Sequence, residues 1–323
     1  MEPPRLEVLP TGTLPRTAEK EPHLLVLLPK SARIARDIPG RSTLLRILKR
    51  REAKAAELAS APVVADLPAG GRACFAMLDD GATSFARLTV LRKAVSALLE
   101  ENPASVALWP ADGLGADGVA QAVFVLAANG MALPSRKRKT VRRLSAIRLY
   151  GRLAKGSLRA VDALVRGNHL CRTLTALPAN ELTPGAYRKR IRALARENGW
   201  EHEEFDLRRL RRMGAGAFCA VAQGSPEGDA AIVRVSLPAP SGDRRIALVG
   251  KGICHDTGGH NLKPARHMAG MHEDMNGSAV ALGLLLAATR ARLPVGIDCW
   301  LAIARNDISP AGYRQNDVIR ALD

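Results

Sequence analysis

The chain has 323 residues, of which 47% are hydrophobic and 3% aromatic, and its formal net charge at pH 7 is +17. This length allows two domains with large cores, and so few aromatic side chains argue against a surface that stacks single-stranded nucleic acid. The apolar runs are shorter than the roughly 18 residues that a membrane span requires, so we expect no membrane partner.

Charge and cysteine usage indicate the class of protein. The basic residues are spread over several predicted helices, so a DNA partner is possible but not favoured. The amino terminus has no apolar core, which predicts that it is not a signal peptide. The five cysteines are odd in number and widely spaced, a pattern typical of reduced thiols in a cytoplasmic protein rather than of a disulfide framework.

The first half of the chain alternates strand and helix patterns. Residues 1–22 are rich in proline and charge, and we expect the first ~20 residues to be disordered. Apolar runs and helical spacing then predict strands over residues 23–28, 62–65, 72–78 and 105–109, and helices over 42–59, 83–99 and 116–128. This order predicts an α/β domain over residues 1–150.

A basic segment, SRKRKTVRR, occupies residues 135–143. We interpret it as a solvated hinge between two domains, because no aromatic residues are interleaved with the positive charges. The alternative is a contact with DNA or another anionic ligand.

The second half predicts an α/β domain over residues 151–323, with a mixed, largely parallel sheet flanked by helices. Helices are predicted over residues 158–173, 185–198 with Thr183 as the cap, 207–213 and 276–292. Strands are predicted over residues 203–207, 218–223, 231–237, 245–249 and 296–304, the third of them antiparallel to its neighbour.

The polar stretch from residue 248 to 278 is the candidate functional segment. It joins a predicted strand to a predicted helix, the place where open α/β folds bind ligands. Its acidic residues Asp256 and Asp274 are suitable ligands for divalent metals. Lys251 follows an apolar strand, and a lysine can bind a metal only if burial makes its amine neutral, so we expect Lys251 to be buried.

Two other interpretations of this stretch stay open from the residues alone. Four histidines could form an imidazole metal site, although their spacing of 5, 7 and 5 residues suits neither one helix face nor an H-x-x-x-H pair: His255, His260, His267 and His272. The glycine-rich run VGKGICHDTGG could also hold a phosphate, although it matches neither the P-loop nor the dinucleotide fingerprint.

Short motifs follow one another in order along residues 160–323. The sequence has VGKG at 249–252, DTGG at 256–259, LKP at 262–264 and DMNGS at 274–278. It also has the runs PAN at 178–180, TP at 183–184, AQGS at 222–225, YR at 313–314 and DVI at 317–319. These motifs, the first four at the family's spacings, resemble those of the leucyl aminopeptidase family of cytosolic two-metal exopeptidases. The first half is similar only in its α/β character, and we expect a macro-like domain there.

The resemblance implies a role for each residue of the central motif. Asp256 would bridge two divalent ions, with Lys251 and Asp274 completing the shell of one of them. Lys263 would point its ammonium group at the scissile carbonyl oxygen and stabilise the oxyanion. The implied ions are Mn²⁺, Zn²⁺ or Mg²⁺, the implied substrates are peptides with leucine-like amino termini, and the implied assembly is a homo-hexamer in the cytoplasm.

One family element is absent from the 323 residues. The segment N-T-D-A-E-G-R, expected after residue 319, carries two further carboxylate ligands in the family and an arginine that anchors a bicarbonate base. We therefore expect a truncated catalytic domain that is inactive alone, whether by nature, by frameshift or as a fragment. The alternative is a non-catalytic, basic DNA-binding or interaction protein on a peptidase-derived fold.

Overall fold

The chain divides into two compact units in a computed structural model that describes residues 3–10, 12, 14–138, 143–151, 156–225, 228–239 and 245–321. The units are Met1–Val165 and Arg166–Asp323. This division falls inside a helix, whereas the sequence placed the domain boundary at residue 150. Each unit contains a β-sheet with helices packed on it, so the predicted α/β class is confirmed.

The first unit is a six-stranded sheet with helices on both faces. Its strand order is β1-β6-β5-β2-β4-β3, and every pairing is parallel except β3 with β4. The elements are β1 (Arg5–Val8), α1 (Pro15–Ala18), β2 (His23–Pro29), α2 (Arg41–Arg50), a 3₁₀ turn (Ala55–Ala59), β3 (Val63–Asp66), β4 (Arg72–Leu78), α3 (Ser84–Leu99), β5 (Ser105–Pro110), α4 (Ala116–Gly130) and β6 (Ala146–Leu149).

The central strand β2 explains why this sheet needs cover on both sides. Leu25 and Leu27 pack into the cluster formed with α3 and α4, while Leu24, Val26 and Leu28 pack into the cluster formed with α2. A parallel strand buried on both faces has a continuous apolar sequence rather than an alternating one. The run of residues 23–28 was therefore recognisable as a strand from sequence.

Three expectations for the first unit were wrong. The described residues at the amino terminus are not disordered: β1 pairs with β6 at the sheet edge, and Ala18 is fully buried. The predicted helix over residues 42–59 is interrupted, because Glu52 adopts a positive φ of 53° between α2 and the 3₁₀ turn. Segment 135–143 connects α4 to β6 within one unit, so it is not a hinge between units, and residues 139–142 lie outside the described residues.

The second unit is a four-stranded mixed sheet with strand order β7-β8-β10-β9. The remaining elements are α5 (Ser157–Thr175), which spans the division, α6 (Pro184–Asn198), β7 (Glu201–Asp206), α7 (Leu207–Arg212), α8 (Gly216–Ala222), β8 (Ala231–Leu237), β9 (Arg245–Asp256), α9 (Ala265–Met268), a 3₁₀ turn (Met271–Glu273), α10 (Asn276–Ala291) and β10 (Gly296–Asn306). None of the described helices combines the length and apolar character that a membrane crossing requires.

Two expectations for the second unit were also wrong. Its sheet is mixed but not largely parallel: in the described part, only β9 and β10 pair in parallel, through the crossover helix α10, and β8 runs antiparallel to both β7 and β10. The predicted strand over residues 218–223 lies within helix α8. Cys219 and Ala222, three residues apart, both face the cluster that α7 and α8 form on the sheet, which is a helical and not an extended repeat.

Helices α5 and α10 cross at a pair of glycines. A Cβ atom on Gly283 would lie 2.6 Å from the carbonyl oxygen of Gly167, and one on Gly167 would lie 2.3 Å from the carbonyl oxygen of Gly283. The obstructing atoms belong to the backbone, so a side chain at either position forces the helices apart. Helix α10 also packs on the sheet, with Ala279, Leu282 and Leu286 in the core.

We predict that Gly283→Ala destabilises the protein. Alanine at a helical glycine position normally gains up to about 1 kcal/mol, but here the backbone clash should cost about 1–3 kcal/mol and reverse the sign. Gly270→Ala is the control, since its added methyl group would meet no atom within 4 Å. Urea unfolding that shows Gly283→Ala to be as stable as the wild type would contradict the close crossing.

Candidate functional site

The candidate site lies where β9 and β10 end. Lys251 lies opposite Ala302 and Ile253 opposite Ala304, but Asp256 rather than residue 255 lies opposite Asn306. The extra residue in β9 is a β-bulge, and it returns Asp256 to the face of the sheet that Lys251 occupies. Without the bulge the two side chains, five residues apart, would point to opposite faces.

Asp256 is held by three donors. Its Oδ2 accepts a hydrogen bond from Nζ of Lys263 at 2.6 Å, and its Oδ1 accepts from Nδ2 of Asn306 at 2.7 Å and from the amide of Gly258 at 2.9 Å. Burial opposes ionisation of this carboxyl group, but the donors and the positive charge of Lys263 outweigh burial and hold the pKa of Asp256 below its ordinary value. Asp256 is therefore a carboxylate at neutral pH.

The loop after Asp256 is fixed by the neighbouring strand. The amide and the hydroxyl group of Thr257 both donate to the carbonyl oxygen of Asn306, at 2.9 and 2.8 Å, and the amide of Lys263 donates to the carbonyl oxygen of Thr257 at 2.9 Å. Gly258 has a φ of +89°, and a Cβ atom there would lie 2.3 Å from the carbonyl oxygen of Asn261. Only glycine fits this turn, which returns Lys263 to Asp256.

Lys251 and Asp274 form the second charged pair. The Nζ of Lys251 lies 2.9 Å from Oδ2 of Asp274. They meet because β9 and α10 touch through their backbones: a Cβ atom on Gly250 would lie 2.6 Å from Cα of Ser278. The Asp274 Oδ2 atom is buried, yet no described group is aligned to donate a hydrogen bond to it, so Lys251 neutralises this oxygen without satisfying it.

A buried carboxylate oxygen with no aligned donor is a position where a cation ligand fits. The expected burial of Lys251 was wrong, however, because 58% of its side chain is exposed. An ion pair so open to solvent contributes about 1 kcal/mol at most. The Lys251–Asp274 contact is consequently weak enough for a divalent ion to replace.

The two charged pairs are connected through the 3₁₀ turn. Nζ of Lys263 also lies 3.0 Å from the thioether sulfur of Met271, the first residue of the turn that ends at Asp274. The structure therefore brings together all four residues singled out in the sequence, as two lysine–aspartate pairs on adjacent segments. Their catalytic and metal-binding roles stay predictions.

The histidine interpretation is not supported by the described residues. His255 lies 4.0 Å from Asp307, His260 contacts the carbonyl oxygen of Ser309 at 2.9 Å, and His272 lies 3.8 Å from Glu273. His267 accepts from the guanidinium group of Arg266. No group of three or more histidine, cysteine, aspartate or glutamate side chains in the described part of the chain could hold a metal ion.

The same finding limits the metal site. Asp256 and Asp274 are acceptable donors for a hard or borderline divalent ion, and Lys251 could add one nitrogen. These residues fit a divalent ion only in part, because the described residues supply no further carboxylate.

Asn306 is a site residue that was missed in the sequence. Its side chain donates to Asp256 and its carbonyl oxygen accepts from Thr257, so it links β10 to the loop. The signal was available in principle, because Asn306 ends the strand that follows α10, and the carboxyl ends of parallel neighbours meet. The β-bulge made the contact between Asn306 and Asp256 unpredictable, because the pairing of these two residues cannot be obtained from sequence spacing.

The second half of the chain matches the model of a known protein family. The family model described as the cytosol aminopeptidase family, catalytic domain, matches residues 169–323. This part of the chain belongs to the cytosol aminopeptidase family. The predicted leucyl aminopeptidase resemblance is thereby confirmed, and the four residues of the site all lie inside the matched range.

Curated relatives of the cytosol aminopeptidase family are similar over the same region. A probable cytosol aminopeptidase of Leifsonia xyli is 41% identical over 151 residues, which cover 47% of this chain and 30% of the relative. That of Stutzerimonas stutzeri is 38% identical over 165 residues, covering 51% and 33%. That of Parasynechococcus marenigrum is 34% identical over 220 residues, covering 66% and 45%. The matched region spans about a third to a half of these relatives.

Solved structures share the fold across both units. A mutant of tomato leucine aminopeptidase matches 98% of this chain and 66% of its own, with a TM-score of 0.75 and 20% identity. The leucyl aminopeptidase of Leishmania major in complex with actinonin matches 98% and 65%, with a TM-score of 0.74 and 22% identity. The bottromycin maturation enzyme BotP in complex with Mn matches 94% and 64%, with a TM-score of 0.72 and 24% identity.

We predict that Lys263→Met raises the pKa of Asp256. The substitution removes the strongest donor to the carboxylate and its positive charge, so the pKa should move up towards its ordinary value. The measurement is a ¹³C NMR titration of the Asp256 carboxyl group in metal-free protein, with Lys189→Met as a control for the same loss of charge at an exposed position of α6.

The sign of the stability effect follows from the lowered pKa. Ionised Asp256 stabilises the fold above the ordinary carboxyl pKa of about 4, and this stabilisation is lost as pH falls through the lower folded-state value. Lys263→Met should therefore reduce stability at pH 7 more than at pH 3. An unchanged Asp256 titration in Lys263→Met would contradict the geometry.

Proposed function

We propose that this chain is part of a metal-dependent aminopeptidase that removes amino-terminal residues, preferentially leucine-like ones, from peptides. The observation that carries the proposal is the convergence of Lys251, Asp256, Lys263 and Asp274 at the strand ends of a cytosol aminopeptidase catalytic domain. Family membership supports a peptidase. The substrate preference, a location in the cytoplasm and assembly into a homo-hexamer belong to the proposal.

In this proposal Lys251, Asp256 and Asp274 would hold divalent ions, Mn²⁺, Zn²⁺ or Mg²⁺, with Asp256 as the shared ligand. Such ions would supply an activated water and a polarised scissile carbonyl group. Lys251 can join the ligand set only as a neutral amine, since an ammonium group has no free electron pair. The exposed pair with Asp274 is weak, so breaking it costs little.

Lys263 has a different role in the proposal. Its ammonium group lies 2.6 Å from Oδ2 of Asp256, so it places a positive charge beside the proposed shared carboxylate ligand. A positive charge at this position can stabilise a developing oxyanion. Only 28% of the Lys263 side chain is exposed, so water screens this charge only in part. The turn at Gly258 and the bond to Met271 keep the side chain in this position.

The described residues form no group of three or more possible metal-binding side chains, so the proposed ligand set is incomplete within them. We propose that this chain alone does not turn over substrate. The alternative of a DNA-binding protein gains no support from the charges of the second unit. Arg188 and Arg192 are paired with Glu204, and Arg234 and Arg245 with Asp298, so part of the positive charge is already neutralised.

The activity test uses the chain alone and the chain joined to the carboxyl-terminal remainder of the Stutzerimonas stutzeri relative. We expect the fusion, loaded with Mn²⁺, to release leucine from leucinamide, and the chain alone to release none. Asp256→Asn in the fusion should abolish turnover and weaken Mn²⁺ binding at least tenfold, because the shared carboxylate becomes a neutral amide. Full turnover by Asp256→Asn would refute the ligand assignment.

Lys263→Met in the same fusion separates catalysis from metal binding. We expect kcat to fall by about 10²–10³, as for the loss of one oxyanion donor, while Mn²⁺ stays bound. Lys189→Met is the matched control and should keep wild-type turnover. Loss of Mn²⁺ from Lys263→Met, measured by titration calorimetry, would contradict the assigned role.

A further inference from the structure

The first unit contains a cavity that the aminopeptidase site does not use. It has a volume of about 520 Å³ and lies beyond the carboxyl end of β5. Its lining includes the end of β5, the segment that leads into α4, and the residues that follow β6. Beyond the carboxyl ends of parallel strands is where α/β sheets bind ligands, and this volume suits a small molecule.

Two aromatic rings form a fixed wall of the cavity. The rings of Trp109 and Tyr150 lie 5.3 Å apart between centroids, at an angle of 39°. The hydroxyl group of Tyr150 donates to Glu21 at 2.6 Å, and Glu21 also accepts from Arg148 at 2.6 Å. Glu21 is only 5% exposed, so this buried chain of contacts holds the Tyr150 ring against the cavity.

Two carboxylates complete the polar part of the lining. Asp37 and Asp112 both border the cavity and are exposed to solvent, and neither side chain forms an ion pair or hydrogen bond with another described residue. The described lining residues include no lysine or arginine, in a chain with 48 basic and 31 acidic residues. The described lining of the cavity is therefore negatively charged, in a strongly positive protein.

Two aromatic rings beside two carboxylates favour a positively charged ligand. A cation is attracted both by unpaired carboxylates and by the faces of aromatic rings within about 6 Å. A phosphate could approach the amino terminus of α4, but it would meet the two carboxylates, and the attraction of a helix end declines within one turn. Apolar lining by Leu114 and Val119 adds room for a short hydrocarbon chain.

We propose that this cavity binds a small organic cation, in which a primary amine or guanidinium group is attached to a short apolar chain. The cationic group lies between Asp37, Asp112 and the aromatic wall, and the chain lies towards Leu114. The lining residues of this cavity include none of the peptidase-site residues, so the inference stands or fails independently of the proposed function.

The test is titration calorimetry of the full chain with agmatine and n-butylamine, compared with n-butanol and AMP. We expect both amines to bind, n-butanol to bind more weakly than n-butylamine, and AMP not to compete. Binding of agmatine should weaken as NaCl is raised from about 0.05 to 0.5 M, because the charges are partly exposed. In NMR spectra, agmatine should shift the indole N–H signal of Trp109, assigned with Trp109→Phe.

Substitutions of the two aspartates test whether agmatine binding depends on their negative charges. Asp37→Asn and Asp112→Asn should each weaken agmatine binding about two- to fivefold, and the double variant more. Asp66→Asn, which changes the same charge on β3 away from the cavity, should bind as the wild type does, and thermal melts verify that all variants are folded. The proposal is overturned if agmatine does not bind at millimolar concentration, if AMP binds more tightly than n-butylamine, or if Asp66→Asn weakens binding as much as the cavity variants.

Discussion

The contact between β9 and the first turn of α10 is the constraint on which the second unit depends. Gly250 approaches Ser278 so closely that no side chain fits between them, and the amide of Lys251 lies within 3.0 Å of where a Cβ on Gly277 would be. Backbone contact of this kind places the turn before α10 directly over the strand. Asp274 reaches Lys251 for this reason, although 22 residues separate them in sequence.

Two lysines then neutralise two carboxylates at the strand ends. The pairs differ in a way that suits different tasks: Lys263 with Asp256 is largely enclosed and supported by Asn306, whereas Lys251 with Asp274 is open to water. An enclosed pair keeps its charge and geometry, and an open pair is replaced at little cost. Lys263 is thus suited to act as a permanent positive charge, and the Lys251–Asp274 pair to receive a cation.

Local signals in the sequence predicted much of this architecture. The apolar runs that became β2, β4 and β5 are strands buried on both faces, and the predicted cap Thr183 accepts a hydrogen bond from the amide three residues later. All four site residues were also identifiable, because they lie in one motif. These features depend on residues close together in the chain.

The features that escaped prediction depend on pairing between distant residues. Strand β1 forms only because β6 lies beside it, and α8 is helical because its small residues pack on the sheet. The bulge that aligns Asp256 with Asn306 is a register relation that no local pattern encodes. Exposure of Lys251 follows from the same arrangement, since its side chain lies on the less covered face of β9.

The central claim is that Asp256 and Asp274 bind divalent metal at the ends of these strands. The most direct measurement is an anomalous difference map from crystals soaked in MnCl₂. The account predicts a peak within about 2.0–2.6 Å of carboxylate oxygens of Asp256 and Asp274. It also predicts that the Lys263 side chain keeps its position when the metal binds. Peaks beside the histidines at 255, 260, 267 or 272, with none at the two carboxylates, would contradict it.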